Sequence, residues 1–285
     1  MIGGLGSYLV SVEDVNGSVY TFDGNTQLRI LTGRSAPETR TASSALPLQN
    51  YSRVEYNAFL PRRLTAVLQV LGEDAAHMWK CRQDMYRVFN PFKGPFTLHV
   101  TYPQKGVTYT AYNVMLSDAM DSPLDTKRDP RYSEFALSMT ALDPFWYGTH
   151  HVVQYTGFTG TPGAISTTLT LTAGNYWASP LVRFYGPFTA IAIFNTIWKN
   201  VTPKKLDVRM ALAAGQSLSV DCRFKRVTST VTPELALWHD SNLNTFGLIP
   251  ESLGSGGVNN LDIYSFGYTA NTIVQVEWDD TYYAI

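Results

Sequence analysis

The sequence predicts a mainly β protein of two domains that carries a single helix. Short runs of β-branched and aromatic residues recur along the 285 residues, punctuated by glycine, proline and asparagine. Only one segment has apolar residues at sustained helical spacing. Hydrophobic residues make up 45% of the chain and aromatic residues 13%. That composition is far from that of a disordered chain and suits sheets with broad apolar interfaces. A chain of this length has room for two buried cores.

Ser7–Glu13 and Val19–Phe22 flank Asn16-Gly17, a strong hairpin signal, so the chain is expected to open with a β-hairpin. Gly33 to Ser52 is mostly Ser, Thr, Arg, Pro and Ala without a period, which predicts a polar loop of about twenty residues, long for a compact domain. Its role stays open between mobility and ordering by a partner. Arg63–Leu71 alternates like a strand with one buried face and stops at Gly72. Helix 73–89 follows, with Met78, Cys81, Met85 and Val88 on one face, acidic residues at its start and Arg87 near its end. Asn90-Pro91 stops it. Thr97–Thr101, Tyr109–Leu116 and Phe135–Leu142 read as further strands.

Asp143-Pro144 ends the last of these, because the residue before a proline is pushed out of helical geometry and proline donates no ladder hydrogen bond. Phe145, Trp146 and Tyr147 then form an aromatic cluster closed by Gly148. Gly157–Gly163 is rich in chain-breaking residues and predicts a linker or a domain-entry loop, which places a domain boundary near 150. The expected domains are 1–150 and 151–285, with Phe145, Trp146 and Tyr147 packed where they meet. Beyond the boundary, Thr168–Thr172, Leu181–Tyr185, Ala190–Phe194, Leu206–Met210, Ser217–Asp221 and Leu261–Ser265 have strand length, with turns about every ten residues. This pattern predicts an antiparallel sandwich or jelly roll.

The formal net charge is −1 and no stripe of Lys and Arg is present, so nothing in the balance attracts nucleic acid or an anionic bilayer. Met1–Asp14 lacks a basic n-region, and Leu181–Ile197 is interrupted by Arg183, Gly186, Pro187 and Asn195; neither a signal peptide nor membrane insertion is expected. Cys81 and Cys222 lack C-x-x-C spacing and read as free thiols.

Motifs for catalysis are missing. His150 and His151 are adjacent, so on a strand they point to opposite faces and cannot chelate one metal together. His77, His99 and His239 lack zinc-enzyme spacing. Asp121, Asp125 and Asp129 fall in a segment bracketed by Pro123 and Pro130 and read as a loop. A sugar hydrolase needs two carboxylates, and Glu234, Asp240, Glu277 and Asp279 offer no pair that stands out. Gly254-Ser255-Gly256-Gly257 reads as a turn rather than an anion site. No catalytic, cofactor-binding or metal-binding residue is assigned, and no cofactor is expected.

Taken in order, these features resemble the distal tail protein family of long-tailed bacteriophages. The carriers are the opening hairpin, Arg63–Leu71, helix 73–89 leading into Asn90-Pro91-Phe92, and the closing Ala141-Leu142-Asp143-Pro144-Phe145-Trp146-Tyr147. In the second half they are Ser179–Pro187, Leu212–Asp221, Asn259–Ile263 and Ile273–Trp278. The resemblance implies a split-barrel ring domain followed by a galectin-like β-sandwich. It also implies a homo-hexameric ring at the tail tip or baseplate of the virion, made in the host cytoplasm. Such a ring joins the tail tube protein to the tail hub and receptor-binding proteins, while DNA passes through it without specific binding. It implies an architectural protein and no enzyme. The alternative is a carbohydrate-binding module recognising host-surface glycans, with Trp177, Trp198 or Trp238 as stacking platforms.

Overall fold

The structure is a computed structural model that describes residues 8–23, 26–45, 52–118, 131–196, 204–231, 246–253 and 255–285. The chain divides into two compact units, Met1–Gly148 with Tyr282–Ile285, and Thr149–Thr281. The expected boundary assigned 282–285 to the second domain, whereas these four residues belong to the first unit.

In the first unit, β1 (Leu9–Glu13) and β2 (Val19–Phe22) form the opening hairpin. β3 (Thr26–Thr32) follows; among the described strands β4 (Thr39–Ala45) and β5 (Ser52–Phe59) pair only with each other. The expected loop over 33–52 is therefore largely a second hairpin, with its tip outside the described residues. Then come β6 (Arg62–Leu71), the helix α1 (Ala75–Val88), β7 (Phe96–Tyr102), β8 (Val107–Leu116) and β9 (Tyr132–Ala141). The antiparallel order is β3-β6-β9-β8-β7-β1-β2. β2 and β3 stand at opposite ends of this order yet are joined by only residues 23–25. A link that short reaches no more than about 14 Å, so the sheet must curl until its ends meet, giving a split barrel.

Alternation fills the barrel. Leu64, Ala66, Leu68 and Val70 of β6 face inward with Phe135, Leu137, Met139 and Ala141 of β9, and Val10, Val12, Leu98 and Val100 complete the same core. α1 lies against it through Met85 and begins at Asp74, whose side chain accepts the His77 N–H at 2.7 Å. Gly72 permits this approach: a Cβ there would lie 2.5 Å from the Met78 nitrogen.

β10 (Trp146–Tyr155) begins in the first unit, where Tyr147 pairs with Thr110, and continues into the second. There follow β11 (Gly163–Thr170), β12 (Leu181–Tyr185), β13 (Ala190–Asn195), β14 (Lys204–Val208), β15 (Ser217–Asp221), β16 (Arg226–Ser229), β17 (Val258–Phe266) and β18 (Ile273–Tyr282). They make two antiparallel sheets, β16-β15-β12-β18-β10 and β11-β17-β13-β14. Val182, Phe184, Leu218, Val274 and Val276 of one meet Ile191, Ile193, Leu206, Leu261 and Ile263 of the other in a single core, which is the expected sandwich. Gly157–Gly163, expected as a linker or a domain-entry loop, turns β10 into β11 inside this unit. Phe158 is buried in its core, and Ala164 N–H donates to the Thr159 carbonyl at 3.0 Å.

A polar pair locks one end of the sandwich. Asn195 Nδ2 donates to Asn259 Oδ1 and to the Gly247 carbonyl, both at 3.0 Å. Asn259 Nδ2 donates to the carbonyls of Ile249 (2.9 Å) and Gly257 (3.0 Å), and its Oδ1 also accepts the Ile249 N–H at 2.8 Å. Both asparagines are fully buried. Such a network is stable only when its members are satisfied, and here it ties the segment before β17 to two strands.

Candidate functional site

The most distinctive construction in the first unit is the β4–β5 hairpin and the socket that holds its root. A two-stranded hairpin alone is marginally stable in water, so its direction and order depend on where it is anchored. Its stems are adjacent, with Leu60 N–H donating to the Glu38 carbonyl at 2.8 Å. The socket is built largely by the aromatic run after β9. Phe145 meets Phe59, the last residue of β5, edge to face at 5.2 Å. Trp146 is fully buried, and its Nε1 donates to the Gly33 carbonyl at 3.3 Å. Tyr147 donates its hydroxyl to the Asp143 carboxylate, 2.9 Å from Oδ2, and Asp143 Oδ1 accepts the Phe145 N–H at 3.2 Å.

Arg62, the first residue of β6, lies over the Trp146 ring at 5.8 Å. Its Nε donates to the Pro144 carbonyl at 2.7 Å, and its Nη1 donates to the carbonyls of Gly33 (2.7 Å) and Ser35. Burial lowers its pKa to about 10, with Asp143 acting in the opposite sense, so the guanidinium stays charged at neutral pH. Gly33 is required here, since its φ is +94° and a Cβ would lie 2.6 Å from the Arg63 carbonyl oxygen. Trp146 thus sits in the first unit's core, beside the hairpin root. The expectation that located the three rings at a domain junction had no signal for this socket, because Gly33, Phe59 and Arg62 are distant in sequence.

Strands β10 and β18 of the second unit gather several of the other residues considered above. His150 Nδ1 lies 2.8 Å from Asp279 Oδ1, and its Nε2 lies 3.8 Å from Glu277 Oε2. His151 Nε2 lies 3.1 Å from Asp280 Oδ1, and its ring stacks on Trp278 at 5.0 Å. The two histidines take different partners, as opposite faces of a strand require. Arg183 Nε donates to Glu277 Oε1 at 2.5 Å, which raises the arginine pKa. Gln275 Nε2 donates to the same oxygen at 2.7 Å, and Arg223 Nη1 lies 3.8 Å from Asp279 Oδ2. Glu277 and Asp279 therefore stand in a charge-balanced network whose members pair with one another. Glu277 is only 8% exposed, and its charge is held there because Arg183 and Gln275 both donate to it.

His99, which sequence spacing singled out for nothing, has both ring nitrogens engaged: Nδ1 with Thr110 Oγ1 at 3.0 Å and Nε2 with Glu13 Oε2 at 3.1 Å. It clamps β1, β7 and β8 across the sheet. His77 Nδ1 accepts the Glu73 N–H at 3.2 Å at the start of α1. Trp177 is 38% exposed and stacks on Tyr176 at 6.2 Å. Trp198, Trp238, His239, Glu234, Asp240, Asp121, Asp125 and Asp129 lie outside the described residues. Among the described residues, no group of three His, Cys, Asp or Glu side chains is disposed to hold a metal ion, and no helix is long and apolar enough to cross a membrane.

No protein-family profile matches the chain, and no curated protein matches it in sequence. Solved structures do match in fold. The crystal structure of the Dit protein of phage SPP1, described as a paradigm of the hub adsorption apparatus of phages that infect Gram-positive bacteria, is similar with a TM-score of 0.60 at 13% identity. The likeness covers 95% of this chain and 98% of that one. A chain of the phage p2 baseplate, solved in its activated conformation with strontium, is similar with a TM-score of 0.50 at 8% identity, over 95% of this chain and 98% of that one. The chain thus has the fold of these phage hub and baseplate proteins, mainly β with one helix.

Proposed function

We propose that this chain is a structural virion protein of a long-tailed bacteriophage, a distal tail protein at the tail tip or baseplate. The observation that carries this reading is the fold likeness to the SPP1 Dit protein, which runs through both units and nearly the whole length of both chains. In this reading the first unit is the ring-forming domain and six copies close into a ring. The ring joins the tail tube protein to the tail hub and to receptor-binding proteins, and the genome passes through its centre. A formal net charge of −1 suits a conduit, because each basic contact to phosphate adds salt-dependent affinity that would retard DNA.

The role is architectural and has no reaction in it. The β4–β5 hairpin supports assembly through its form: strands that pair only with each other carry open edges, and a neighbouring subunit is the partner that would cover them. Light scattering after size exclusion, with electron microscopy of the same fraction, tests the reading. A mass of six copies and a ring with a central opening are expected. A chain that remains monomeric both alone and with its tube and hub proteins overturns the ring. A monomer that also binds a glycan array points to the carbohydrate-binding alternative.

A further inference from the structure

The hairpin root is held from a third direction, by residues that the chain reaches only after traversing the second unit. Arg62 Nη2 donates to the Tyr283 carbonyl at 2.9 Å, a contact spanning 221 residues of sequence. Ile285 N–H donates to the Arg34 carbonyl at 2.9 Å. Three consecutive root carbonyls are therefore engaged: those of Gly33 and Ser35 by Arg62, and that of Arg34 by Ile285. The Arg34 side chain is held as well, with its guanidinium 5.3 Å from the Tyr8 ring centre and its Nη1 donating to the Tyr102 hydroxyl at 3.4 Å. Tyr282 packs edge to face on Tyr109 at 5.1 Å, and both Tyr282 and Ile285 pack against the first core.

A guanidinium suits this position because its donors form a rigid planar fork that can serve several acceptors at once. Arg62 is 2% exposed. Its Nη2 donates to Tyr283 in the same fork whose Nη1 holds the root, so losing the late segment would leave a buried donor open beside the two root bonds.

We propose that residues 282–285 form a strap that fixes the root of the β4–β5 hairpin through Arg62 and the Arg34 carbonyl. The hairpin is then held in its final direction only once the second unit has been made and the chain has returned to the first. A part-made chain has the hairpin but lacks the strap, which delays an open-edged element until the rest of the protein exists. The link to assembly rests on the ring reading above; the strap itself does not.

Hydrogen exchange read by mass spectrometry tests the strap on the full chain and on a variant lacking residues 283–285, which keeps Tyr282 and its packing on Tyr109. Exchange over 33–38 and over β4 and β5 is expected to rise about 5- to 30-fold in the variant, the factor that one to two net hydrogen bonds are worth, while β6 and β9 keep their protection. Arg62→Lys, which retains the charge without the fork, also loses the bonds to Gly33 and Ser35 and should give at least as large a rise in the same peptides. Unchanged exchange at the root in the shortened chain overturns the proposal. So does a rise spread evenly over β6 and β9, which would make the segment an ordinary part of the core. Mass by light scattering on the same samples separates the two claims. A full-length chain that never forms a ring removes the assembly reading and leaves the exchange result to decide the strap.

Discussion

The Tyr8 hydroxyl takes the place of a missing strand beside Ile30: it donates to the Ile30 carbonyl at 3.1 Å and accepts the Ile30 N–H at 3.0 Å. β3 pairs with β6 on one side only, and its register shifts between Ile30 and Thr32. A single side chain just before β1 thus joins β3, at one end of the strand order, to the strand next to the other end. Tyr8→Phe leaves both backbone groups of a buried residue without this partner. The expected cost is about 2 kcal/mol, measured as a lower denaturation midpoint with an unchanged slope.

Trp146→Ala should destabilise the whole first unit by about 3–5 kcal/mol, since it empties a fully buried site and removes the ring beneath Arg62. Phe145→Ala loses a half-buried ring and its contact with Phe59, for about 1 kcal/mol. Separate melts of the two variants would show this ranking. Equal and small effects would deny Trp146 its place in the first unit's core.

Asn259→Ala removes the shared partner of Asn195, both backbone groups of Ile249 and the Gly257 carbonyl. A loss of about 3–5 kcal/mol is expected, because several buried polar groups are stranded together. Thermal unfolding of the second unit reads it.

The Tyr155 hydroxyl is buried with no well-formed hydrogen bond among the described residues, and burial pushes its pKa up to about 12, against a weak opposing interaction with Thr167. Folded and unfolded chains are both protonated here below the ordinary tyrosine value of 10.0. As pH rises from there toward 12, the unfolded chain releases the proton first, so stability is lost across that window by roughly 2–3 kcal/mol. Tyr155→Phe should flatten that alkaline loss in a pH series of unfolding curves, and at neutral pH should be neutral or stabilising by about 1 kcal/mol.

Replacing residues 39–59 by a short Gly-Ser turn should leave the first unit folded, since Glu38 and Leu60 are already hydrogen-bonded across the stem. Circular dichroism is expected to show a native melt, while light scattering shows the ring abolished. Rings that persist without the hairpin would deny it a part in assembly.

Much of the fold was legible where local pattern and tertiary role agree. The helix expected over 73–89 is α1 at 75–88, capped by Asp74, and the strands expected at Leu181–Tyr185 and Ser217–Asp221 are β12 and β15. The β4–β5 hairpin was not legible. Among the described strands β4 and β5 pair only with each other, and their Ser- and Thr-rich sequence, without apolar alternation, reads as loop. Gly157–Gly163, readable from sequence as either a linker or a domain-entry loop, is a turn within the second unit, with Phe158 among its breakers drawn into the core.

The sequence by itself determines the mainly β character, the lone helix and the poverty of motifs for catalysis, because periodicity, turn chemistry and composition act over a few residues. Tertiary structure alone decides what Asp143–Gly148 is for. The run borders the socket of a hairpin root because Arg62, Gly33 and Phe59 converge on it, together with Tyr283 on the same guanidinium. Those contacts span tens to hundreds of residues, and a guanidinium that binds backbone carbonyls leaves no requirement on its partners' side chains that a sequence could display.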